Sequence, residues 1–215
     1  MTTIRVLIAD DHGLVAEGLA SLISSQPGLE VVGCVADGRE AVRRALELAP
    51  DVVVMDLSMP DMNGIEAARE IRSRLEATRV VMLSIHTEPE YVRRALDAGA
   101  QGYLVKRSAS RELIAAIRAV HEGRRFFGEN VAESVIERYL GRGAARDPLD
   151  ALSARERQVL QLLAESRSVA EIARTFNLSP KTVETYRARL FRKLDVHDLP
   201  ALVRFALRHG ITSLE

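Results

Sequence analysis

Val52-Val53-Val54-Met55, followed at once by Asp56, is the stretch that decides the fold. Four consecutive apolar residues, three of them β-branched, are typical of a strand that is buried on both faces. Such a strand lies inside a parallel sheet covered by helices, and ligand sites in these sheets form beyond the carboxyl ends of the strands. The stretch therefore predicts an α/β fold with a site at Asp56.

Further strands alternate with helical segments on both sides of this stretch. The strand patterns cover Arg5–Ala9, Glu30–Ala36, Val52–Asp56, Arg79–Ser84 and Gly102–Val105. Amphipathic segments of helical period occupy residues 13–25, 38–48, 64–75, 88–98 and 110–122. This alternation predicts βαβ units, and therefore a doubly wound, five-stranded parallel sheet within a first domain at residues 1–125.

Residues 148–215 have the pattern of an all-helical domain. Two capping boxes, Ser153–Glu156 and Ser168–Glu171, each predict the start of a helix. Ser179 before Pro180 predicts the start of a third, and a fourth is expected from about Pro200 to His209. The short turn between the second and third helices makes this four-helix domain a helix-turn-helix candidate.

The segment at residues 126–147 separates these two domains. Residues 126–140 are expected to form one more helix. The stretch from Gly141 to Pro148 is small, polar and rich in glycine, which favours an interdomain linker.

Charge, cysteine content and the N-terminal sequence limit the possible functions. The net charge of the chain is zero, but residues 148–215 hold 11 basic and 8 acidic residues, a weak indication of an anionic partner. Cys34 is the single cysteine, which excludes an intramolecular disulfide, and we expect a buried, inert thiol. A signal-peptide pattern and a long apolar stretch are both missing, so we expect a cytoplasmic protein.

Polar side chains stand where four of the predicted strands end. They are Asp10, Asp11, Asp56, Ser84 and Lys106. Neighbouring carboxylates repel one another, and a bound Mg²⁺ relieves that repulsion because it takes oxygen ligands. Lys106 is the one lysine before position 181 in a chain that otherwise uses arginine, which favours a site needing a compact ammonium.

This combination predicts chemistry on a phosphoryl group. Asp56 can act as the nucleophile and form an acyl phosphate, while Ser84 donates a hydrogen bond to the phosphoryl group. Mg²⁺ and the Lys106 ammonium would stabilise charge on the transferred oxygens.

The chain resembles a two-component response regulator of the NarL/FixJ type, with a receiver domain and a LuxR-type helix-turn-helix. The motifs that carry the resemblance are Asp10-Asp11-His12, Met55 to Gly64, Gly102-Tyr103-Leu104-Val105-Lys106, Leu152 to Glu156 and Leu178 to Glu184. The resemblance implies a flavodoxin-like receiver, phosphorylated by a sensor histidine kinase, that controls DNA binding.

The resemblance also implies roles for individual residues. Asp56 is then the phosphoacceptor, and Asp11, Asp56 and the Ser58 backbone carbonyl bind Mg²⁺ directly. Asp10 assists through water, Lys106 contacts the phosphoryl oxygen, and Ser84 and Tyr103 form the switch pair. Ile85 stands where receivers often have a small residue, so we expect slow phosphoryl exchange with small donors or water.

The helix after Ser179 is the candidate for reading DNA. Val183, Tyr186, Leu190 and Leu194 are expected to form its buried stripe. Base contacts are expected from Lys181, Glu184, Thr185 and Ala188, with Thr182 beside them. Phosphate contacts are expected from Arg187, Arg189, Arg192 and Lys193. Charge alone leaves open a merely solvated amphipathic helix.

The helix-turn-helix departs from the family pattern and is expected to work in pairs. Ser166 and Val169-Ala170 stand where the family often has Gly and Asn-Lys, so one basic residue near the DNA backbone is missing. One helix-turn-helix covers a single half-site, which predicts a homodimer on double-stranded DNA. By resemblance, the fourth helix supplies the dimer contact, and receiver helices near 88–98 and 110–122 pair on phosphorylation.

Two rival functions remain at this point. A Mg²⁺-dependent phosphohydrolase of the haloacid dehalogenase class would need a second carboxylate at position 58, where this chain has Ser58. A phosphorylation-independent DNA-binding regulator with a vestigial receiver is disfavoured by the full set of acid, hydroxyl and lysine residues. We therefore expect a signalling protein whose catalysis is limited to its own phosphorylation and slow dephosphorylation.

Overall fold

The computed structural model describes residues 3–129, 131 and 147–212. These residues belong to two compact units, and each is described by itself. Among the described helices, none combines the length and the apolar character needed to span a membrane.

The first unit is built from strands that alternate with helices. The strands are β1 (Ile4–Ala9), β2 (Leu29–Val35), β3 (Val52–Asp56), β4 (Arg79–Ser84), β5 (Gly102–Val105) and β6 (Phe126–Phe127). The helices are α1 (Gly13–Ser24), α2 (Gly38–Leu48), α3 (Gly64–Arg74), α4 (Pro89–Asp97) and α5 (Ala109–His121). A single 3₁₀ turn, Lys106–Ser108, joins β5 to α5.

The strands form one parallel sheet in the order β2-β1-β3-β4-β5-β6. The order reverses between β1 and β3, and a doubly wound sheet opens a crevice at that point, outside the carboxyl ends of its strands. Asp56 is the last residue of β3 and so stands at the crevice.

The predicted α/β class is confirmed, but the sheet has six strands where five were predicted. The sixth is Phe126–Phe127, which falls within the segment expected to be helical, so that expectation is wrong for these two residues. They pair with β5 because the chain turns back beside that strand after α5. Most of the expected helix at 126–140 lies outside the described residues.

The burial of β3 explains why four consecutive residues of this strand are apolar. All four residues from Val52 to Met55 are fully buried, as expected for a strand covered by helices on both faces. The edge strand β2 is different, because several of its residues are exposed or half-buried. Cys34 lies on this strand and is exposed, so the expectation of a buried thiol is wrong.

The second unit consists of four helices after a 3₁₀ turn at Pro148–Ala151. The helices are α6 (Ala154–Ala164), α7 (Val169–Phe176), α8 (Pro180–Leu194) and α9 (Leu199–Arg208). Both predicted capping boxes are present, at Ser153 with Glu156 and at Ser168 with Glu171. The Ser179 side chain accepts a hydrogen bond from the Thr182 N–H, which confirms the predicted start of α8.

The bend before α7 contains Ser166, at the position where the family often has glycine. Ser166 has a φ of 61°, in the left-handed region that glycine adopts without a steric cost. The backbone of this turn therefore keeps the conformation of a glycine although the chain places serine there.

Gly64 is the glycine that the site depends on most directly. A β-carbon at this position would lie 2.0 Å from the backbone oxygen of Asp56, and the Gly64 N–H donates to the Leu57 carbonyl at 2.8 Å. A contact of 2.0 Å with backbone cannot be relieved by rotating a side chain. The start of α3 can lie against the end of β3 only because residue 64 has no side chain.

We expect Gly64→Ala to lower the free energy of unfolding by more than about 2 kcal/mol, because the backbone of Asp56 must move. Gly13→Ala is the matched control, since a β-carbon there meets no atom within 4 Å. Denaturant titration of both full-length variants measures the difference. Equal stabilities would contradict the proposed clash.

Candidate functional site

The polar residues predicted from the strand ends do converge. Asp10 directly follows β1, Asp56 and Ser84 end β3 and β4, and Lys106 directly follows β5. β3 lies between β1 and β4, and β5 lies beside β4, so the four side chains share the carboxyl edge of the sheet.

Lys106 holds two of the carboxylates together. Its Nζ lies 2.9 Å from Oδ2 of Asp10 and 2.9 Å from Oδ2 of Asp56. The Asp10 side chain is fully buried, and those of Asp56 and Lys106 are 4% and 17% exposed. The compact ammonium therefore bridges two acids that have almost no contact with water.

This burial shifts the proton affinities of the pocket. Burial raises the pKa of Asp56 to about 6, although the attraction of Lys106 opposes that rise, and repulsion from Asp10 adds to it. Burial lowers the pKa of Lys106, but the attraction of Asp56 and Asp10 outweighs burial, so the net pKa is raised. Lys106 is therefore a permanent cation in the pocket at neutral pH.

The donor set fits a divalent cation. Atoms of Asp10, Asp11, His12 and Asp56 that can bind a metal all lie within 4.8 Å of one another. Asp11 is more open to water than Asp10 and lies 2.8 Å from Nδ1 of His12. Among the described side chains of this cluster, three carboxylates face one ammonium, and this excess negative charge favours a hard cation with oxygen ligands.

The loop after β3 folds back toward the same carboxylate. The Ser58 N–H donates to Oδ1 of Asp56 at 3.4 Å, which brings the backbone at position 58 to the pocket. A metal contact through the Ser58 carbonyl stays a prediction.

The two switch candidates, Ser84 and Tyr103, are both buried. The Ser84 Oγ accepts a hydrogen bond from the His86 N–H at 3.0 Å, and the Tyr103 hydroxyl donates to the His86 carbonyl at 3.0 Å. The Tyr103 side chain is fully buried, and this burial raises its pKa. The ring therefore already lies inside in this structure, while its expected movement with phosphorylation stays a prediction.

Two large apolar side chains stand exposed close in sequence to the pocket. Ile85, next to Ser84, is 72% exposed, and Leu14, in the first turn of α1, is 85% exposed. Ile85 therefore stands at the surface beside a pocket residue, and its effect on phosphoryl exchange stays a prediction.

In the second unit, α8 presents most of the predicted DNA-contacting residues to solvent. The exposed members are Lys181, Glu184, Thr185, Ala188, Arg189, Arg192 and Lys193. Thr182 and Arg187 are half-buried. Thr182 belongs to the helix cap, and Arg187 lies 3.6 Å from Glu184 and over the ring of Phe191.

Lys193 has a different position from the other basic residues of α8. Its Nζ lies 2.6 Å from Oε2 of Glu156, which is 3% exposed, and donates to the Ala151 carbonyl at 2.9 Å. Burial raises the pKa of Glu156, but hydrogen bonds from Lys193 and Ser153 outweigh burial and leave it lowered. Lys193 therefore also ties α8 to the start of α6, and its expected phosphate contact stays a prediction.

Tyr186 of α8 and Ser179, the residue that caps this helix, were not among the predicted DNA contacts. Tyr186, expected in the buried stripe, is only half-buried, and it lines an open cavity of about 410 Å³ together with Ser179. The other lining residues are Lys181, Thr182, Thr185 and Arg189. Helical period alone gave no signal for Tyr186, because a long ring at the border of the stripe can reach either side.

Comparison with known protein families matches both units. Residues 6–118 match the response regulator receiver domain, and residues 150–206 match the bacterial regulatory proteins of the luxR family. This chain is a two-component response regulator of the NarL/FixJ type. The response regulator UvrY of Escherichia coli K12 is 38% identical over 212 residues, which cover 99% of this chain and 97% of UvrY. GacA of Pseudomonas viridiflava is 38% identical over 208 residues, 97% of each chain.

Solved structures of response regulators are also similar to this chain. A LuxR-family response regulator from Aurantimonas sp. SI85-9A1 is 40% identical with a TM-score of 0.61, covering 65% of this chain and 99% of that one. RcsB of Salmonella enterica serovar Typhimurium, bound to a promoter with the phosphomimetic BeF₃⁻, is 28% identical with a TM-score of 0.61 and covers 98% of this chain and 100% of that one. The response regulator is thus similar to a relative that was solved on DNA.

We expect Asp56→Asn to stabilise the protein increasingly as pH rises, when divalent cations are chelated. The raised pKa means that folding favours the protonated acid. In the wild type, the stabilising contribution of protonated Asp56 is therefore complete below the ordinary pKa of 3.8, and it is lost as pH rises through the raised pKa of about 6. The difference in unfolding free energy between the variant and wild type should grow by about 1–3 kcal/mol from pH 4 to pH 7.5. Denaturant titrations across this range measure it, and a flat difference would contradict the pKa shift.

We expect Lys193→Ala to lower the stability of the second unit, and Arg192→Ala to weaken DNA binding without changing stability. Loss of Lys193 leaves the buried Glu156 carboxylate without its cation and should lower the stability of the second unit by about 1–2 kcal/mol. Arg192 is exposed, so its loss should leave stability unchanged and weaken DNA binding equally for all sequences. Thermal melts and binding titrations on two unrelated duplexes separate the two results. A sequence-selective loss in Arg192→Ala would argue against a phosphate contact.

Proposed function

We propose that this response regulator accepts a phosphoryl group on Asp56 from a sensor histidine kinase and thereby controls its binding to promoter DNA. The observation that carries the proposal is the bridge from Lys106 to Asp10 and Asp56, because it places a nucleophilic carboxylate beside a fixed cation. The membership of the chain in the response regulator family supports a kinase as the donor.

The proposed transfer is a single displacement at phosphorus. One carboxylate oxygen of Asp56 forms the new bond to phosphorus while the bond from phosphorus to the kinase histidine nitrogen breaks, and that nitrogen keeps the electron pair. Lys106 stands ready to contact the phosphoryl oxygens, where negative charge increases. The Ser84 hydroxyl, at the end of the next strand, can donate to the same group.

Mg²⁺ is the proposed cofactor of this site. Asp11, Asp56 and the Ser58 carbonyl would hold the ion directly, and Asp10 would act through water. When bound, the ion neutralises charge on the carboxylates and the phosphoryl oxygens. The closely grouped carboxylates support this assignment. Beyond its own phosphorylation and slow dephosphorylation, we propose no enzymatic activity.

The switch is proposed to work through Ser84 and Tyr103. A phosphoryl group on Asp56 would compete for the Ser84 hydroxyl, whose oxygen now accepts from the His86 N–H. The Tyr103 hydroxyl is bonded to the carbonyl of the same His86, so a shift in this loop would reach both residues. Phosphorylation would then shift an existing equilibrium between two conformations.

On DNA, α8 is proposed to be the reading helix in the major groove. Lys181, Glu184, Thr185 and Ala188 would contact base edges, with Thr182 and Tyr186 beside them. Arg187, Arg189, Arg192 and Lys193 would contact phosphates. The exposed position of most of these side chains and the similarity to a DNA-bound relative support the assignment.

Pairing of two chains is proposed because one reading helix covers one half-site. In α9, Leu202 and Ala206 are buried, whereas Leu199 is 38% exposed and Val203 is half-buried. These partly open apolar residues support α9 as the dimer contact. Because the proposed partner is chromosomal DNA, we propose that the protein works in the cytoplasm.

The proposal predicts that Asp56 is the residue modified. Full-length protein treated with acetyl phosphate and Mg²⁺ should gain one phosphoryl group, seen by intact mass, and should then bind promoter DNA more tightly. Asp56→Asn should do neither. Asp51→Asn is the matched control, because Asp51 precedes the same strand at its opposite end and accepts from the Arg5 N–H at 2.8 Å.

Two other results would support the rival functions. Phosphorylation without any change in DNA affinity would favour a constitutive DNA-binding protein with a vestigial receiver. Continuous turnover of a phosphate ester, with no stable acyl phosphate, would favour a phosphohydrolase.

A further inference from the structure

The segment that follows α5 runs along the edge of the strand that carries Tyr103. In the parallel pair of β5 and β6, Phe127 lies opposite Tyr103. The N–H of the next residue, Gly128, donates to the Tyr103 carbonyl at 3.0 Å. The exit segment, defined as Phe126–Glu129, is therefore bonded to the backbone of the switch residue itself.

Glu112 joins this exit segment to the turn that begins at Lys106. Its Oε2 accepts a hydrogen bond from the Ser108 hydroxyl at 2.8 Å, and its Oε1 accepts from the Glu129 N–H at 3.2 Å. Ser108 is the last residue of the 3₁₀ turn Lys106–Ser108. One carboxylate thus contacts both the turn that carries the pocket lysine and the amide where the exit segment ends.

Gly128 leaves the space that the Glu112 carboxylate occupies. A β-carbon at this position would lie 2.7 Å from Oε2 of Glu112 and 3.4 Å from Cδ2 of Leu104. The first distance is too short for a nonbonded contact, so any side chain at 128 would push the Glu112 carboxylate away. Replacing Gly128 should therefore break the contact between Glu112 and the exit segment while the charge of Glu112 remains in the chain.

The position of Tyr103 favours this route for the signal. Its hydroxyl is bonded to the His86 carbonyl, and its backbone carbonyl accepts from the Gly128 N–H, so Tyr103 contacts both the His86 loop and the exit segment. The Lys106 turn also contacts the pocket, and Glu112 links that turn to the exit segment.

We propose that Glu112 is a latch that holds the exit segment in the unphosphorylated protein and releases it when Asp56 is phosphorylated. This rests on the proposed function. A phosphoryl group draws the Lys106 ammonium from Asp10, and Ser108 moves with the turn. Glu112 then loses the Ser108 hydroxyl, its carboxylate rotates, and the Glu129 amide is freed. Glu112, expected by resemblance to lie on a pairing surface, is in this view a positioning residue within its own chain.

The first test needs no phosphorylation. Hydrogen exchange of the Gly128 and Glu129 amides is measured by mass spectrometry on full-length protein. In Glu112→Ala, the Glu129 amide should exchange about tenfold faster than in wild type, because it loses a bond to a charged acceptor. Gly128→Ala should give the same acceleration although the carboxylate remains in the chain, and Ser108→Ala should give a smaller one.

Glu122→Ala is the matched control, since Glu122 follows the same helix and its carboxylate pairs with Arg124 at the surface. Glu122→Ala removes the same charge, and its Glu129 amide should exchange at the wild-type rate. Equal exchange in Glu112→Ala and Glu122→Ala would overturn the latch.

The second test adds beryllofluoride and Mg²⁺. Exchange at Glu129 should rise about tenfold in wild type and in Glu122→Ala, but should not change further in Glu112→Ala. Unphosphorylated Glu112→Ala should also bind promoter DNA as tightly as wild type does with beryllofluoride. A rise in the DNA affinity of wild type with unchanged exchange at Glu129 would overturn the latch and leave the proposed function intact. Failure of Asp56 to accept a phosphoryl group, seen separately by intact mass, would overturn the proposed function and the latch with it.

Discussion

Two buried carboxylates held by one ammonium form the constraint on which the first unit depends. Asp10 and Asp56 end neighbouring strands at the crevice of a doubly wound sheet, and without Lys106 their charges would face each other out of water. The same burial that raises the pKa of Asp56 also keeps its oxygens free of competing water. A reactive carboxylate is therefore obtained at a cost in stability, which the lysine partly offsets.

The few lysines of the chain show the same principle in the second unit. Only three lysines occur in the sequence, and two of them, Lys106 and Lys193, lie against acids that are almost fully buried. A compact ammonium can enter between oxygens where the planar fork of arginine does not fit. The third, Lys181, is exposed and lines the open cavity on α8. In this protein most cations are arginines, and two of the three lysines lie against buried carboxylates.

Most of the fold follows from the sequence because local signals and burial agree. β3, β4 and β5 have the bounds that their apolar runs predict, since each run ends at a polar residue of the crevice. β6 could not be predicted, because two phenylalanines show no period and form a strand only through a distant partner, β5. The contact of Lys193 with Glu156 was not predicted for a related reason: helical period places Lys193 outward, but its long side chain reaches Glu156, 37 residues earlier.

The exposed thiol of Cys34 gives the protein a single chemical handle. It is the one cysteine of the sequence, and it lies on the edge strand β2, on the far side of β1 from the strands β3 to β5. Because partial burial raises the pKa of the thiol, labelling with a maleimide or a spin label should proceed best at mildly alkaline pH. One probe per chain, placed without any mutation, would let spectroscopy measure whether two copies come together when DNA is added.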